Sequence, residues 1–182
     1  ADAERRLPGV EVLLQVDEPS LPSVLAGGVP TEGGYFRHRS VDRPEAVELL
    51  RELGGDLLHC CAPGLDVELA VGRHGAGFTG VSLDQDLMNR ADWDALGPLL
   101  EDGRELWLGA ASTASGVAPT ADALTRRVLG ALRPLDLGPV LSERVVLTPA
   151  CGLAGWPASQ VTALLRALAT TAERVGGELG AG

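Results

Sequence analysis

Asp56-Leu57-Leu58-His59-Cys60-Cys61-Ala62-Pro63-Gly64 is an apolar run that ends in a histidine, two adjacent cysteines and a Pro-Gly turn. A short apolar run stopped in this way reads as a buried strand entering a turn, and side chains along a strand alternate between its two faces. Leu57, His59 and Cys61 therefore share one face, and Leu58 and Cys60 share the other. His-x-Cys at a strand end directs an imidazole nitrogen and a thiolate toward one point, a donor pair suited to a borderline cation such as Zn²⁺. Two ligands do not close a site, so a further Cys, His or carboxylate is expected at the ends of neighbouring strands. Buried cysteine is also an ordinary small core residue, and a buried histidine is commonly just hydrogen-bonded, so the pair alone leaves both readings open.

Outward from this stretch, apolar runs alternate with helical periodicity. Val10 to Val16 is the first predicted strand and ends in Asp17-Glu18-Pro19. A Gly/Pro-rich stretch, 20–42, follows; it is too long for a plain connector and is expected to be an active-site loop. Asp42 with Glu45 has the form of a capping box with Pro44 in the first turn, opening a helix through Ala46, Leu49 and Leu50 to Gly54-Gly55. Leu57 to Cys61 is the second strand, Val67 to Val71 a short helix closed by Gly75, and Gly80 to Asp84 the third strand. Asn89 or Ala91 opens a helix through Trp93, Leu96, Leu99 and Leu100 to Gly103. Glu105 to Ala110 is the fourth strand, Ala121 to Leu132 a helix, Arg144 to Thr148 the fifth strand, and the last helix starts near Pro157 with Val161, Leu164, Leu165, Leu168 and Val175 on one stripe.

Strand-then-helix units in succession imply a parallel α/β sheet, in which chemistry collects at the carboxyl ends of the strands. Those ends read Asp17-Glu18, His59 to Cys61, Asp84, Ala110-Ala111-Ser112 and Cys151, so the second, third and fifth supply potential metal ligands. A closed βα barrel needs eight units and ~250 residues. The 182-residue chain, taken as a single domain over 1–182, holds five units and starts at Ala1, so it is expected to be the C-terminal five units of a TIM barrel whose N-terminal units are absent. An open doubly wound sheet is the alternative arrangement of the same units.

The formal charge of −10 opposes a phosphate backbone, and no Lys/Arg run offsets it, which argues against a nucleic-acid partner. Cysteine usage does not make a disulfide framework, and no secretory pattern or apolar run near the ~20 residues of a membrane span occurs, so a cytoplasmic location without a membrane partner is expected. With five units, each edge strand is open, which predicts an edge-to-edge homodimer or a missing N-terminal barrel half as partner.

Gln15-Val16-Asp17-Glu18-Pro19, His59-Cys60-Cys61, Ser82-Leu83-Asp84 and Pro149-Ala150-Cys151-Gly152-Leu153, in this order at strand ends, resemble the C-terminal catalytic domain of the cobalamin-independent methionine synthase family, most closely its short, single-domain actinobacterial-type relatives. The resemblance covers nearly the whole chain. It implies a zinc site with His59, Cys61 and Cys151 as ligands and Asp84 where the family has Glu, one methylene shorter. It also implies that Asp17 holds the amino group of homocysteine, and that a small-molecule thiol takes a methyl group from a folate or corrinoid donor to give methionine. The family's proton-delivering His is replaced by Ala111. A folate amine needs a proton to leave and reduced cobalt does not, so this change leans toward a corrinoid or other donor. Two further readings stand beside a methyltransferase: a non-catalytic metal-binding remnant of the fold, and a zinc hydrolase with Asp84 as base.

Among the remaining residues, Cys60 is expected to pack outward, and Glu18 to point away from the face that Asp17 shares with Gln15. His38 is expected in a solvated loop and His74 at a helix end. Trp156 is placed to wall the site, and Trp93 and Trp107 belong to the core.

Overall fold

The computed structural model describes residues 5–180. Its sheet has five strands, β1 (Gln15–Asp17), β2 (Leu57–Cys60), β3 (Gly80–Asp84), β4 (Glu105–Ala111) and β5 (Val145–Pro149), all parallel and in the spatial order of the sequence. A doubly wound sheet would reverse its strand order at a switch point. No such reversal occurs, and the architecture is an α/β fold resembling part of a TIM barrel. The crossovers carry α1 (Leu21–Leu25), α2 (Arg43–Leu53), α3 (Val67–Val71), α4 (Arg90–Glu101), α5 (Ala121–Leu132) and α6 (Pro139–Arg144), and α7 (Ala158–Gly180) follows β5.

Alternation along the strands sorts their side chains. Leu58, Cys60, Val81, Leu83, Leu106 and Leu108 join the helices in one apolar core, with Leu50, Leu69, Leu96, Leu100, Val128, Leu132 and Leu164 facing them. Leu57 and Trp107 lie outside that cluster, on the other face with His59 and Ser82. Trp93 packs on the core as expected. Trp107 does not; it is half-buried, and its indole N–H donates to Glu105 at 3.1 Å.

The helices begin where the local chemistry dictates. Asn89 accepts from Ala91 and Asp92, and Asp92 accepts from the Asn89 N–H, a reciprocal capping box at α4. Thr120 caps α5 through Ala123. At α2 the box is half-formed: Asp42 accepts from the Glu45 N–H at 2.9 Å, but the Glu45 carboxylate pairs with Arg39. Gly54 leaves that helix at φ 70°, a conformation open to glycine. The short α3 ends at Gly72, before the expected Gly75.

The expectation for the first strand also needs correction. The first strand covers Gln15–Asp17 alone, not Val10 to Val16, and Val10, Val12, Leu13 and Leu14 are exposed. Among the described residues no strand lies on the far side of β1 to extend the ladder, and Leu14 is tied instead to Asp56, donating its N–H to that carboxylate at 2.7 Å. The stretch 20–42 has local structure of its own. It forms α1 and then a small antiparallel bridge between Pro30 and Arg37, with Tyr35 and Phe36 exposed beside it.

Candidate metal centre

β2 places His59 at the carboxyl end of the sheet, with its backbone O accepting from the Glu18 N–H at 2.9 Å just after β1. Cys61 follows β2, and Cys151 lies two residues after β5. Between β2 and β5 there are three interstrand steps of ~4.8 Å, or roughly 14 Å in a flat sheet. The ligand atoms of His59, Cys61 and Cys151 nevertheless all lie within 4.8 Å of one another. The end of β5 and the segment after it must therefore be brought back toward β2, as happens at the mouth of a barrel.

The segment after β5 is drawn in by a close backbone approach. A Cβ at Gly109 would stand 2.6 Å from Ala150 Cα and 2.9 Å from the Leu83 carbonyl O, so only glycine fits where Ala150 crosses β4. The ladder shifts register between Gly109 and Ala111, and the Ala150 N–H donates to the Ala111 carbonyl at 2.9 Å. Cys151 is thereby carried over the end of β4 toward β2. Trp156 ties the same segment to the loop after β4, donating from Nε1 to the Thr113 carbonyl at 2.9 Å.

Burial across the three residues is graded: His59 is buried, Cys61 half-buried and Cys151 exposed. His59 Nδ1 lies 2.9 Å from Ser82 Oγ on β3, also buried. Burial pushes the Cys61 thiol up, and the hydrogen bond and charge of the neighbouring Cys151 push it further. Two thiols so close favour neutrality on their own, and a cation between them supplies the charge that two thiolates require. One imidazole and two sulfurs are a donor set fitted to a borderline or soft metal ion. This group could therefore hold a metal, with its exposed side at Cys151.

Asp84, the remaining ligand implied by the resemblance, is not brought into the group. It is half-buried, and its Oδ1 accepts from the Asp86 N–H at 2.9 Å, closing the turn after β3. Its arm is one methylene shorter than that of the glutamate the resemblance places there. Asp17 pairs with His59 in the ladder and so shares its face; it is exposed, and Gln15 Nε2 donates to its Oδ1 at 2.7 Å. Cys60 is packed outward in the core, its Sγ 3.6 Å from the Ala62 carbonyl, and burial pushes its thiol up. His38 and His74 are exposed. Ala111 is buried beside a cavity of about 210 Å³ lined also by Ser112, Ser115, Val117 and Arg127. Sequence reasoning assigned no role to Ser82 or Gly109. Alternation already places Ser82 on the ligand face, and a glycine inside a strand signals a close approach.

No protein-family model matches the chain, and no curated protein does. Among solved structures, a B12-independent methionine synthase from Shewanella sp. W3-18-1, in complex with selenomethionine, superposes with a TM-score of 0.58 at 18% identity over 92% of this chain. The match takes in 49% of that protein, so the chain spans about half its length. At this identity the likeness is one of fold. Among the described residues no helix is long and apolar enough to cross a membrane.

Proposed function

We propose that the chain is the thiol-activating part of a zinc-dependent methyltransferase, and that its substrate thiol is homocysteine, giving methionine. The observation that carries this reading is the convergence of His59, Cys61 and Cys151 at the carboxyl ends of strands. The fold likeness and the ordered motifs support it. When bound, Zn²⁺ would lower the pKa of a substrate thiol from about 8.5 while leaving the sulfur nucleophilic.

His59, Cys61 and Cys151 would hold the ion. Asp84, whose Oδ1 accepts from the Asp86 N–H, stands outside their group, and an open position beside the three would take the incoming sulfur. Asp17, exposed on the strand beside His59, offers a carboxylate for the substrate amino group. The stretch 20–42, which follows the same strand end, would close over the bound substrate. In the reaction the thiol gives up its proton to solvent, a bond forms from sulfur to the methyl carbon, and the bond from that carbon to the donor breaks with its electron pair going to the donor. A folate nitrogen would need a proton at that point. Ala111 can give none, which favours a corrinoid donor.

The test is the zinc content of protein purified without added metal, alongside Cys61→Ser. Near-stoichiometric zinc that is lost in the variant, followed by homocysteine-dependent change in the spectrum of a Co²⁺-substituted sample, is the expected result. Well-folded protein that takes up no metal after reconstitution would make the three residues a packed cluster and the chain a non-catalytic remnant of the fold. Metal binding without any response to thiols would point to a hydrolase.

A further inference from the structure

We propose that Ser82 is a positioning residue that fixes His59 in the tautomer whose Nε2 lone pair faces Cys61 and Cys151. This inference rests on the metal-site reading above. The two residues are direct partners in the β2–β3 ladder, His59 opposite Ser82. Their separation is therefore set by the backbone of two adjacent strands. Both are buried, at 6% and 5% exposure, and Oγ sits 2.9 Å from Nδ1.

A neutral imidazole carries one proton, so one nitrogen donates and the other accepts. Were Ser82 to donate to Nδ1, Nε2 would bear the hydrogen and present no lone pair to a cation. With Nδ1–H donating to Oγ, Nε2 is left as the free donor atom and the ring is held in its plane. Serine can fill this position because its hydroxyl accepts, giving an Nδ1–H a buried partner, and its one short side-chain torsion leaves the ring little freedom. Ser82 carries no charge, so the effect is on orientation and tautomer and adds nothing to the charge of the site.

The experiment compares the wild-type chain with Ser82→Ala and Ser82→Thr. Competition titrations of Co²⁺ and Zn²⁺ against a chromophoric chelator read the affinity, and imidazole nitrogen NMR of the metal-free chain reads the tautomer of His59. The expected results are an Nδ1–H ring in the wild type and a shift toward Nε2–H in Ser82→Ala. The alanine variant should also bind metal 10- to 100-fold more weakly, the range found when groups that orient metal ligands are removed, with threonine restoring most of the affinity. A purely structural role would lower the melting temperature of Ser82→Ala without moving the tautomer. An Nε2–H ring in the wild type, or unchanged affinity in a folded Ser82→Ala, overturns the proposal. If Ser82→Ala does not fold, the wild-type tautomer still decides it. If the wild type binds no metal, the reading of the site fails separately, because the tautomer of His59 is measured without metal.

Discussion

At the scale of single residues, Gly109 does more for the candidate centre than its lack of a side chain suggests. The space a methyl group would need is taken by Ala150 Cα and the Leu83 carbonyl, both backbone and neither able to swing away. Gly109→Ala should push the segment of Ala150 and Cys151 off β4, costing about 1–3 kcal/mol as overpacking does. Metal affinity should fall with it, on the order of tenfold or more as when ligand-orienting groups are disturbed. Urea denaturation and a metal titration of the same sample check both, and wild-type values for each would show that Cys151 is held in place by something else. The adjacent cysteines provide a sharper contrast. Cys60 faces the core and Cys61 the cluster, so Cys60→Ala should cost about 1 kcal/mol, near the centre of the distribution for point substitutions, and leave metal content unchanged. Cys61→Ser or Cys151→Ser should abolish tight binding with little loss of stability, as read by metal analysis and thermal melting. The division between Cys60 and Cys61 was legible from strand alternation alone. The bond from His59 to Ser82 was not, because it depends on the register of two strands separated by the whole of α3, and register is settled by packing across that distance.

At the scale of elements, what could be read from local chemistry was read well, and what depended on a neighbour was not. The opening of α4, expected at Asn89 or Ala91, falls at Asn89, whose capping box with Asp92 within one turn was not itself foreseen. Asn89→Ala should destabilise α4 by about 1 kcal/mol, seen as a lower melting temperature with metal binding intact. At α2 the same pattern yields only half a box, since Arg39, six residues upstream of Glu45, competes for the carboxylate. The first strand was overestimated for a related reason: apolar composition from Val10 to Val16 satisfies a strand pattern, yet a strand needs a ladder, and only Gln15–Asp17 have one. The stretch 20–42 folds on itself through α1 and the Pro30–Arg37 bridge, and leaves Tyr35 and Phe36 at 92% and 76% exposure. Replacing both with serine should change stability by no more than about 0.5 kcal/mol. If this stretch closes over substrate as proposed, the same double variant should weaken homocysteine binding to a Co²⁺-substituted sample, and unaltered binding would remove it from the site.

At the scale of the whole molecule, the consequence of a five-stranded parallel sheet in sequential order is that β1 and β5 both end in open edges among the described residues. Exposed backbone edges invite pairing, and here the neighbouring apolar side chains strengthen the invitation: Val10, Val12, Leu13 and Leu14 beside β1, and Val146 in β5, are all exposed. The face opposite the core also carries Asp17, Glu105 and the half-buried Trp107. Two opposing tendencies then decide what the isolated chain does. Open edges and apolar rims favour association; a net charge of −10 on 182 residues opposes it between identical copies. Salt screens the second, with a Debye length of about 10 Å at 0.1 M ionic strength falling to about 3 Å at 1 M, and leaves the first intact. The isolated chain is therefore expected to sediment heavier than its 18.8 kDa monomer, and the more so as sodium chloride is raised. A complementary βα segment that closed the barrel would bury the same edges, suppressing self-association and its salt dependence together. Sedimentation velocity across a salt series measures the outcome directly: a monomer at all salt concentrations, with no such segment present, would mean that the curled sheet protects its own edges and that no partner is needed to complete it.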